Sequence, residues 1–367
     1  MTDVPDPALR KLVEQVIAAR ASKTSLDIHG GRTKAFYGGT PTGIALDVCG
    51  LAGISSYEPS ELVVTVRAGT PLVELEAALA EKGQCLPFEP PRFGESGTVG
   101  GMVAAGLAGP ARVSVGGVRD YVLGATLLNG KAEVLSFGGQ VMKNVAGYDV
   151  SRALAGSLGV LGVICEVSLK VLPKPPATLT LRVELEPGAA IRRVNEWGGQ
   201  PLPLSASAWW DGMLVLRLAG ATAAVRAAFD KMGGELIAAE TADKFWTGLR
   251  DHSDEFFVGA AKAVEAGAGL WRLSVPPTTP PLKLSGEQLV EWGGAQRWIC
   301  TTAPAHVLRD VAAAAGGHAV LFRGKDKRLG AFAPMKPALE RIQRELMRAF
   351  DPDRIFNRGR LLPEEPA

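Results

Sequence analysis

The spacing of apolar residues predicts a mixed order of helix and strand over the first part of the chain. Leu9, Leu12, Val13, Val16 and Ile17 recur at helical spacing and predict a helix over residues 7–20. Short apolar runs predict strands at 26–28, 45–47 and 62–67, separated by Gly-Gly and Tyr-Glu-Pro-Ser turns. A helix is predicted over 71–82, because a proline starts that segment and a glycine follows it. This order indicates an α+β domain.

The next segment, residues 86–119, is rich in proline and glycine and has little periodicity. It is too apolar for a disordered linker, so it is predicted to be a long structured loop wrapped on a ligand. Strands at 121–128 and 132–137 flank Asn129-Gly130, which predicts a hairpin with a type I′ turn. A helix at 150–155 and a strand over 159–171 are predicted to follow.

The run Lys-Val-Leu-Pro-Lys-Pro-Pro at 170–176 predicts a domain boundary. Beyond it, strands alternate with helices, and an antiparallel sheet with helices on one face is predicted. The predicted strands are 178–184, 206–218, 270–275, 297–301 and 319–322, and the predicted helices are 221–232, 242–251 and 304–315. A helix is predicted over 337–350 in the tail. The predicted domains are therefore 1–175 and 176–330, followed by a C-terminal segment at 331–367.

The amino-acid composition does not indicate a binding partner. The 367 residues carry a formal net charge of +2 and 21% are charged, which gives no electrostatic case for nucleic acid or an anionic membrane surface. The cysteines at 49, 85, 165 and 300 are too far apart for metal or iron–sulfur spacing and indicate reduced thiols. The N-terminus lacks the features of a signal peptide, and no apolar run approaches the ~20 residues of a spanning helix. We expect a cytoplasmic protein without direct membrane insertion, whose association with a membrane would be made through partner subunits.

Three glycine-rich stretches, each at the end of an apolar run, carry the candidate chemistry. They are Gly30-Gly31-Arg32-Thr33-Lys34, Gly97-Thr98-Val99-Gly100-Gly101 and Gly156-Ser157-Leu158-Gly159-Val160-Leu161-Gly162. Glycine has no Cβ and reaches positive φ, so such backbone can bring several N–H groups close to an anion. Together the stretches indicate a site for a phosphate-bearing cofactor.

Each stretch has a specific chemical interpretation and a plainer alternative. In the first, Arg32 and Lys34 would add charge and Thr33 a hydroxyl at a pyrophosphate, whereas the alternative is a tight β-turn. In the second, paired glycines would let a planar ring lie on the backbone beside the hydroxyls of Ser96 and Thr98, whereas the alternative is a plain loop. For the third, the alternative is a close approach of helix and sheet. Neither the Walker spacing nor the Rossmann fingerprint occurs.

The combination of motifs resembles the flavin-binding domain of the vanillyl-alcohol oxidase and p-cresol methylhydroxylase family. The residues that carry the resemblance are 99–103 (Val-Gly-Gly-Met-Val), 118–124 (Val-Arg-Asp-Tyr-Val-Leu-Gly), 156–164, 169–173 and the C-terminal run 350–357 (Phe-Asp-Pro-Asp-Arg-Ile-Phe-Asn). Residues 143–149 (Lys-Asn-Val-Ala-Gly-Tyr-Asp) and the short chain resemble the FAD-binding accessory subunits of bacterial glycolate oxidases. The resemblance implies an α+β fold with a two-subdomain FAD-binding domain at 1–175, a smaller antiparallel-sheet cap domain at 176–330, and a C-terminal helix and tail that return to the FAD domain.

The resemblance also implies roles for individual residues. Those expected around the FAD pyrophosphate are Gly30, Gly31, Arg32, Thr33 and Lys34; those expected along the ribityl and isoalloxazine part are Ser96, Thr98, Val99, Gly100 and Gly101; and those expected at the adenosine end are Gly159, Gly162, Val163 and Ile164. Asn357 is expected to return from the C-terminus toward the ring. Lys143 is a candidate cation near the flavin, with a solvated loop lysine as the alternative. No catalytic residue is assigned.

Two departures from the family pattern bear on how the flavin is attached and on whether a metal is bound. Relatives with covalent flavin have a histidine in the first loop where this chain has Arg32, so non-covalent FAD is predicted. The histidines at 29, 252, 306 and 318 are widely separated and do not reproduce the histidine-rich metal motif of hydroxy-acid-oxidising relatives, so no metal site is predicted.

The function implied is an FAD-dependent oxidoreductase subunit of a multi-subunit glycolate oxidase. Such a complex oxidises glycolate to glyoxylate and contains a larger FAD-containing catalytic subunit and an iron–sulfur subunit, and this chain alone is predicted to be inactive on glycolate. The alternatives are a self-sufficient FAD-dependent oxidase or dehydrogenase of another hydroxy acid or alcohol, and a scaffold subunit that has lost the cofactor.

Overall fold

A computed structural model describes residues 6–139 and 149–364. The helices are α1 (Pro7–Ser22), α2 (Leu72–Glu81), α3 (Val99–Ala105), α4 (Arg112–Val115), α5 (Val118–Tyr121), α6 (Val150–Ala153), α7 (Pro187–Gly198), α8 (Thr222–Met232), α9 (Ala239–Asp251), α10 (Glu255–Glu265), α11 (Ala305–Ala314) and α12 (Pro337–Phe350). The strands are β1 (Leu26–His29), β2 (Ile44–Asp47), β3 (Ile54–Glu58), β4 (Val63–Arg67), β5 (Gln84–Cys85), β6 (Val122–Leu128), β7 (Val134–Gly138), β8 (Val163–Lys170), β9 (Leu172–Pro173), β10 (Ala177–Glu184), β11 (Leu204–Trp210), β12 (Met213–Gly220), β13 (Glu235–Ile237), β14 (Gly269–Ser274), β15 (Glu287–Glu291), β16 (Gln296–Thr301) and β17 (His318–Arg323).

The first part of the chain builds a five-stranded antiparallel sheet in the order β3-β4-β8-β6-β7. Helices α2 and α3 pack on it, and their shared core contains Leu75, Val103, Val167 and Leu169, all fully buried. The predicted helices at 7–20 and 71–82 and the strands at 26–28, 45–47 and 62–67 are confirmed to within two residues at each end.

A smaller layer pairs β1 and β2 in parallel, with Leu26 opposite Ile44. The C-terminal run joins this layer, because Leu26 also forms a parallel bridge with Phe356. Phe356 and Ile355 are buried in one core with α1 and Leu46. The tail therefore completes the layer that leads into the first glycine stretch.

The second part of the chain forms an eight-stranded sheet in the order β13-β10-β12-β11-β15-β16-β14-β17, in which every pairing is antiparallel. The antiparallel prediction is confirmed, but helices cover both faces rather than one. Helices α7, α8 and α11 pack on the face that carries Leu216 and Ile299, and α9 and α10 pack on the face that carries Val215 and Trp298. Strand residues alternate between these two cores, as period-two geometry requires.

Two predicted segments differ from the structure in their internal organisation. The predicted loop 86–119 contains the short helices α3 and α4 and the start of α5, which ends at Tyr121. The predicted strand 206–218 is a hairpin of β11 and β12, whose turn residues Asp211 and Gly212 have φ of 46° and 78°. Asp-Gly with positive φ at both positions is typical of a type I′ turn. The apolar residues on both sides of this pair favoured the prediction of one continuous strand.

The turn between β6 and β7 also differs from its prediction. The hairpin is confirmed, but residues 129–133 form a longer connection in which Ala132, rather than the Asn-Gly pair, has positive φ. The Asn129 carboxamide accepts from the N–H groups of Lys131 and Glu133, both at 2.9 Å. A Cβ on Gly130 would lie 2.4 Å from Asp351 Oδ1, so this glycine is needed for the close approach of the C-terminal segment.

Candidate cofactor site

The three glycine stretches meet around one cavity with about 810 Å³ of empty space, its open mouth included. The predicted residues that line the cavity are Gly30, Gly31, Arg32, Thr33, Lys34, Thr98, Gly100, Gly101, Gly159, Gly162, Ile164 and Asn357. Segments more than a hundred positions apart therefore converge at one place.

The first stretch directly follows β1, and its main-chain N–H groups are its main feature. Within the described ranges, none of the main-chain N–H groups of residues 30–34 donates a hydrogen bond to another part of the chain. Unpaired N–H groups at the wall of a cavity are costly unless water or a ligand accepts from them. Successive N–H groups in such a turn form an anion-binding concavity.

Two glycines of this stretch are required by contact with the second stretch. A Cβ on Gly31 would lie 1.6 Å from the carbonyl oxygen of Ser96, and one on Gly30 would lie 2.3 Å from Thr98 Oγ1. Ser96 Oγ also donates to the carbonyl of Gly31 at 2.9 Å. The two loops are therefore in close contact, and only glycine fits at positions 30 and 31.

The second stretch begins a helix rather than a loop. Thr98 is the N-cap of α3, and its hydroxyl accepts from the N–H of Gly101 at 3.2 Å. The N–H groups of Val99 and Gly100 donate to the carbonyls of Thr70 and Ala68. The N–H groups of Val99, Gly100 and Gly101 are therefore already used, so this part of the stretch can offer a ligand mainly a surface without side chains.

The third stretch is joined to β1 by the amide of Asn357. Its Oδ1 accepts from the N–H of Ile28 at 2.7 Å, and its Nδ2 donates to the carbonyl of Leu158 at 2.7 Å. A Cβ on Gly159, whose φ is +76°, would lie 2.5 Å from that Nδ2. Asn357 is 5% exposed and has a φ of 41°. Its carboxamide is thus already bonded at both ends to the walls of the cavity.

The cationic residues at the site differ in how they are held. Arg32 pairs with Asp27 through Nη1 and Oδ2 at 2.7 Å, and half of its side chain is exposed. Lys34 Nζ donates to the carbonyl of Arg92 at 3.3 Å, and burial lowers its pKa to about 8. Arg360 is 8% exposed and donates to the carbonyl of Ala35 at 2.9 Å.

Four of the predicted residues are not among those that line the cavity in the described part of the chain. Val99 and Val163 are fully buried in the core and do not line the cavity, and neither does Ser96, which contacts Gly31 instead. Lys143 lies outside the described residues. Arg360 lines the cavity but was not predicted to, although the basic residues that follow Asn357 were a signal in the sequence.

The cap sheet contributes no lining residue to this cavity between positions 177 and 323, all of which are described. Aromatic rings pack where cavity and cap approach each other: the ring centroid of Tyr37 lies 5.3 Å from that of Phe322 and 5.5 Å from that of Phe332. His252 stacks on Phe257 with ring centroids 3.6 Å apart, and burial lowers its pKa well below the usual value. This histidine is therefore neutral and packed, not solvated.

The described residues include no helix that is long and apolar enough to cross a membrane. Across 6–139 and 149–364, no cluster of three or more His, Cys, Asp or Glu side chains is arranged to hold a metal ion.

Residues 9–138 match the model of a family described as an FAD binding domain. The chain is 47% identical to glycolate oxidase subunit GlcE of Escherichia coli (strain K12) over 353 residues, which cover 96% of this chain and 97% of that protein. It is 33% identical to glycolate oxidase subunit GlcD of Bacillus subtilis (strain 168) over 128 residues, and 32% identical to a D-lactate dehydrogenase of Anaerostipes hadrus over 145 residues. These two matches span 27% and 30% of the respective relatives.

Among solved structures, an alkyldihydroxyacetonephosphate synthase matches with a TM-score of 0.67 and 14% identity over 95% of this chain and 74% of that one. At this identity the likeness concerns the fold alone, and it agrees with the predicted α+β architecture. The converging glycine segments, the FAD-binding domain match and the end-to-end similarity at 47% identity lead to one conclusion: the chain belongs to the GlcE family of glycolate oxidase subunits.

Proposed function

We propose that this chain is the FAD-binding subunit of a multi-subunit glycolate oxidase that oxidises glycolate to glyoxylate. The observation that carries the proposal is 47% identity over nearly the whole length of a glycolate oxidase subunit, in a chain whose glycine segments enclose a cavity. The chain would work with a larger FAD-containing catalytic subunit and pass electrons to an iron–sulfur subunit.

The residues present fit FAD. The unpaired N–H groups of residues 30–34 suit a pyrophosphate, because oriented main-chain donors stabilise anions. The second and third stretches offer walls without side chains, since Gly101 and Gly159 expose backbone to the cavity. The redox chemistry is supplied by the flavin when it is bound.

The roles proposed for this chain's residues are binding and orientation. The run 30–34 would hold the pyrophosphate, with Arg32 balanced by Asp27 and Arg360 adding a buried positive charge. Thr98, Gly100 and Gly101 would lie along the ribityl and ring part, and Gly159, Gly162 and Ile164 toward the adenosine. Asn357 would act through the backbone, since its amide holds Ile28 and Leu158.

Non-covalent attachment is part of the proposal. No histidine occupies the position of Arg32, and His29, on the cavity wall, has its Nδ1 3.0 Å from the carbonyl of Gly30. Flavin released quantitatively into the supernatant after acid precipitation of the protein would support this, whereas flavin retained in the pellet would contradict it.

The accessory role is supported by the cap. No side chain between 177 and 323 lines the cavity, so the cap sheet offers no group at the cavity wall that could bind a hydroxy acid. We assign the segments 1–175 and 176–330 as the FAD-binding and cap domains on the same grounds, with the chain passing from one sheet to the other between β9 and β10.

The test is glycolate:acceptor activity with an artificial electron acceptor, measured on the FAD-loaded chain alone and after co-expression with its neighbouring subunits. We expect turnover only in the assembled complex, together with flavin and iron counts that require more than one flavoprotein subunit. Turnover by the isolated chain at the rate of the complex would contradict the accessory role.

A further inference from the structure

The segment 35–39 connects the first glycine stretch to the rest of the cavity wall and is held by two cations. Its carbonyl oxygens at Ala35, Phe36, Gly38 and Gly39 all accept from positively charged side chains. Hydrogen bonds with one charged partner are about twice as strong as neutral ones. The segment is therefore fixed by more than packing.

Arg360 holds the segment from the C-terminal side. Its Nη1 donates to Ala35 O at 2.9 Å and to Gly39 O at 2.5 Å, and the N–H of Gly39 donates back to Arg360 O at 2.9 Å. A Cβ on Gly39 would lie 2.0 Å from the carbonyl oxygen of Gly359, so the two backbones are in direct contact. Arg360 also lines the cofactor cavity.

Lys327 holds the same segment from the other side. Its Nζ donates to the carbonyls of Phe36 and Gly38, the latter at 2.8 Å. Its neighbours Lys325 and Arg328 pair instead with Glu265 at 3.2 Å and Asp326 at 2.7 Å, whereas no carboxylate of the described ranges pairs with Lys327. Burial lowers the pKa of Lys327 to about 8, as expected for an ammonium group withdrawn from water.

The backbone that carries Lys327 is itself attached to the cap. Arg309 of α11 donates through Nη2 to the carbonyls of Leu329, Gly330 and Phe332, at 3.1, 2.7 and 3.1 Å. The N–H of Leu321 in β17 donates to the carbonyl of Ala331 at 2.8 Å. Helix α11, the segment 327–332 and the segment 35–39 are therefore connected by one series of hydrogen bonds.

We infer that Lys327 is a positioning residue for the cofactor: it fixes residues 36–38 and thereby holds the donors of residues 30–34 in the geometry that accepts the pyrophosphate. Lys327 does not line the cavity and acts through the segment that it binds. The inference rests on the proposed function, since it requires that FAD occupies this cavity.

The experiment compares the full-length chain with Lys327→Met, Lys327→Arg and Lys325→Met in two measurements. FAD affinity is measured by flavin fluorescence titration, and hydrogen exchange of the FAD-free chain is followed by mass spectrometry. Lys325 is the matched control, because it lies two positions away and pairs only at the surface.

We expect Lys327→Met to weaken FAD binding by about tenfold and Lys327→Arg to restore most of the loss, because the guanidinium group can still donate to both carbonyls. Lys325→Met should match the unsubstituted chain. In the FAD-free protein, exchange should accelerate in peptides that span 30–39 and stay unchanged in the strands of the cap sheet.

Equal FAD affinity of Lys327→Met and the unsubstituted chain would overturn the inference and leave the proposed function intact. Faster exchange throughout the chain, without rescue by Lys327→Arg, would also overturn it, because the lysine would then be a general stabiliser. Failure of the unsubstituted chain to bind FAD would overturn the proposed function and the inference together.

Discussion

At the residue scale, Asn357 shows how the site depends on atoms that need not touch a ligand. The sequence predicts that Asn357 turns toward the cofactor ring, and the structure places it on the cavity wall with its carboxamide already bonded at both ends. Asparagine suits the position, because it tolerates the φ of 41° and supplies one donor and one acceptor. This pairing could not be read from sequence, since its partners lie about 200 and 330 positions away.

Replacing Asn357 with alanine should destabilise the fold and weaken FAD binding together. The change leaves the N–H of Ile28 and the carbonyl of Leu158 without partners, which costs roughly 2–5 kcal/mol in the free energy of unfolding. Asn195→Ala in the cap is the control, because the Nδ2 of that amide donates to the carbonyls of Ile191, Pro277 and Gly293 and does not line the cavity. Urea denaturation should show a loss for both variants, and flavin titration a loss for Asn357→Ala alone; unchanged FAD affinity of Asn357→Ala would refute its role at the site.

The buried carboxyl of Glu291 should make stability depend on pH. Burial raises its pKa to about 7, although Trp298 Nε1 and Gln296 Nε2 donate to its Oε2 at 2.6 and 3.0 Å. Since the folded state holds the proton more tightly than the unfolded chain, this stabilisation is complete below about pH 4.5 and is lost as pH rises through about 7.

Glu291→Gln should therefore flatten the decline in the free energy of unfolding between pH 5 and pH 8, with a gain at pH 8 of up to about 3 kcal/mol. The measurement is urea denaturation at both pH values, with the exposed Glu240→Gln on α9 as the control. An equal decline in wild type and Glu291→Gln would contradict the assignment of a buried, proton-binding carboxyl.

At the element scale, local patterns sufficed where hydrophobic spacing and end signals agreed. The helix α12 has the predicted bounds, and α1 and α2 differ by at most two residues, because each shows helical apolar spacing and a proline at its start. The helices α3, α4 and α5 were missed, since each is at most seven residues long and lies in a glycine-rich segment without room for a helical period. The helices α7 and α10 were missed as well, although they are 12 and 11 residues long. The faces of the cap sheet could not be assigned from sequence, because which helix covers which face is set by tertiary packing.

At the scale of the whole molecule, charged contacts join cap and FAD-binding parts. Arg217 of β12 pairs with Glu89 at 2.7 Å, the N–H of Arg92 donates to Asp251 at 2.9 Å, and Arg272 donates to the hydroxyl of Tyr37 at 3.0 Å. The cap thus supports the cofactor loops from outside without lining the cavity. The glycine stretches could be identified from sequence as parts of one site, whereas the contributions of Arg360 and Lys327 required the folded chain.

The most direct test of the account is the FAD stoichiometry and affinity of the purified chain, compared with Gly101→Val and Gly198→Val. Gly101 lines the cavity in the first turn of α3, and an added Cβ would have Thr98 Oγ1 as its near neighbour, at 3.1 Å, so we expect a valine side chain to occupy cavity space with a small change at the N-cap; Gly198 has no atom within 4 Å of an added Cβ. We predict one dissociable FAD per chain for the unsubstituted protein and Gly198→Val, and loss of binding by a folded Gly101→Val. A chain that binds no FAD, or a Gly101→Val variant that binds it as tightly as the unsubstituted protein, would contradict the claim that the three glycine segments enclose the cofactor.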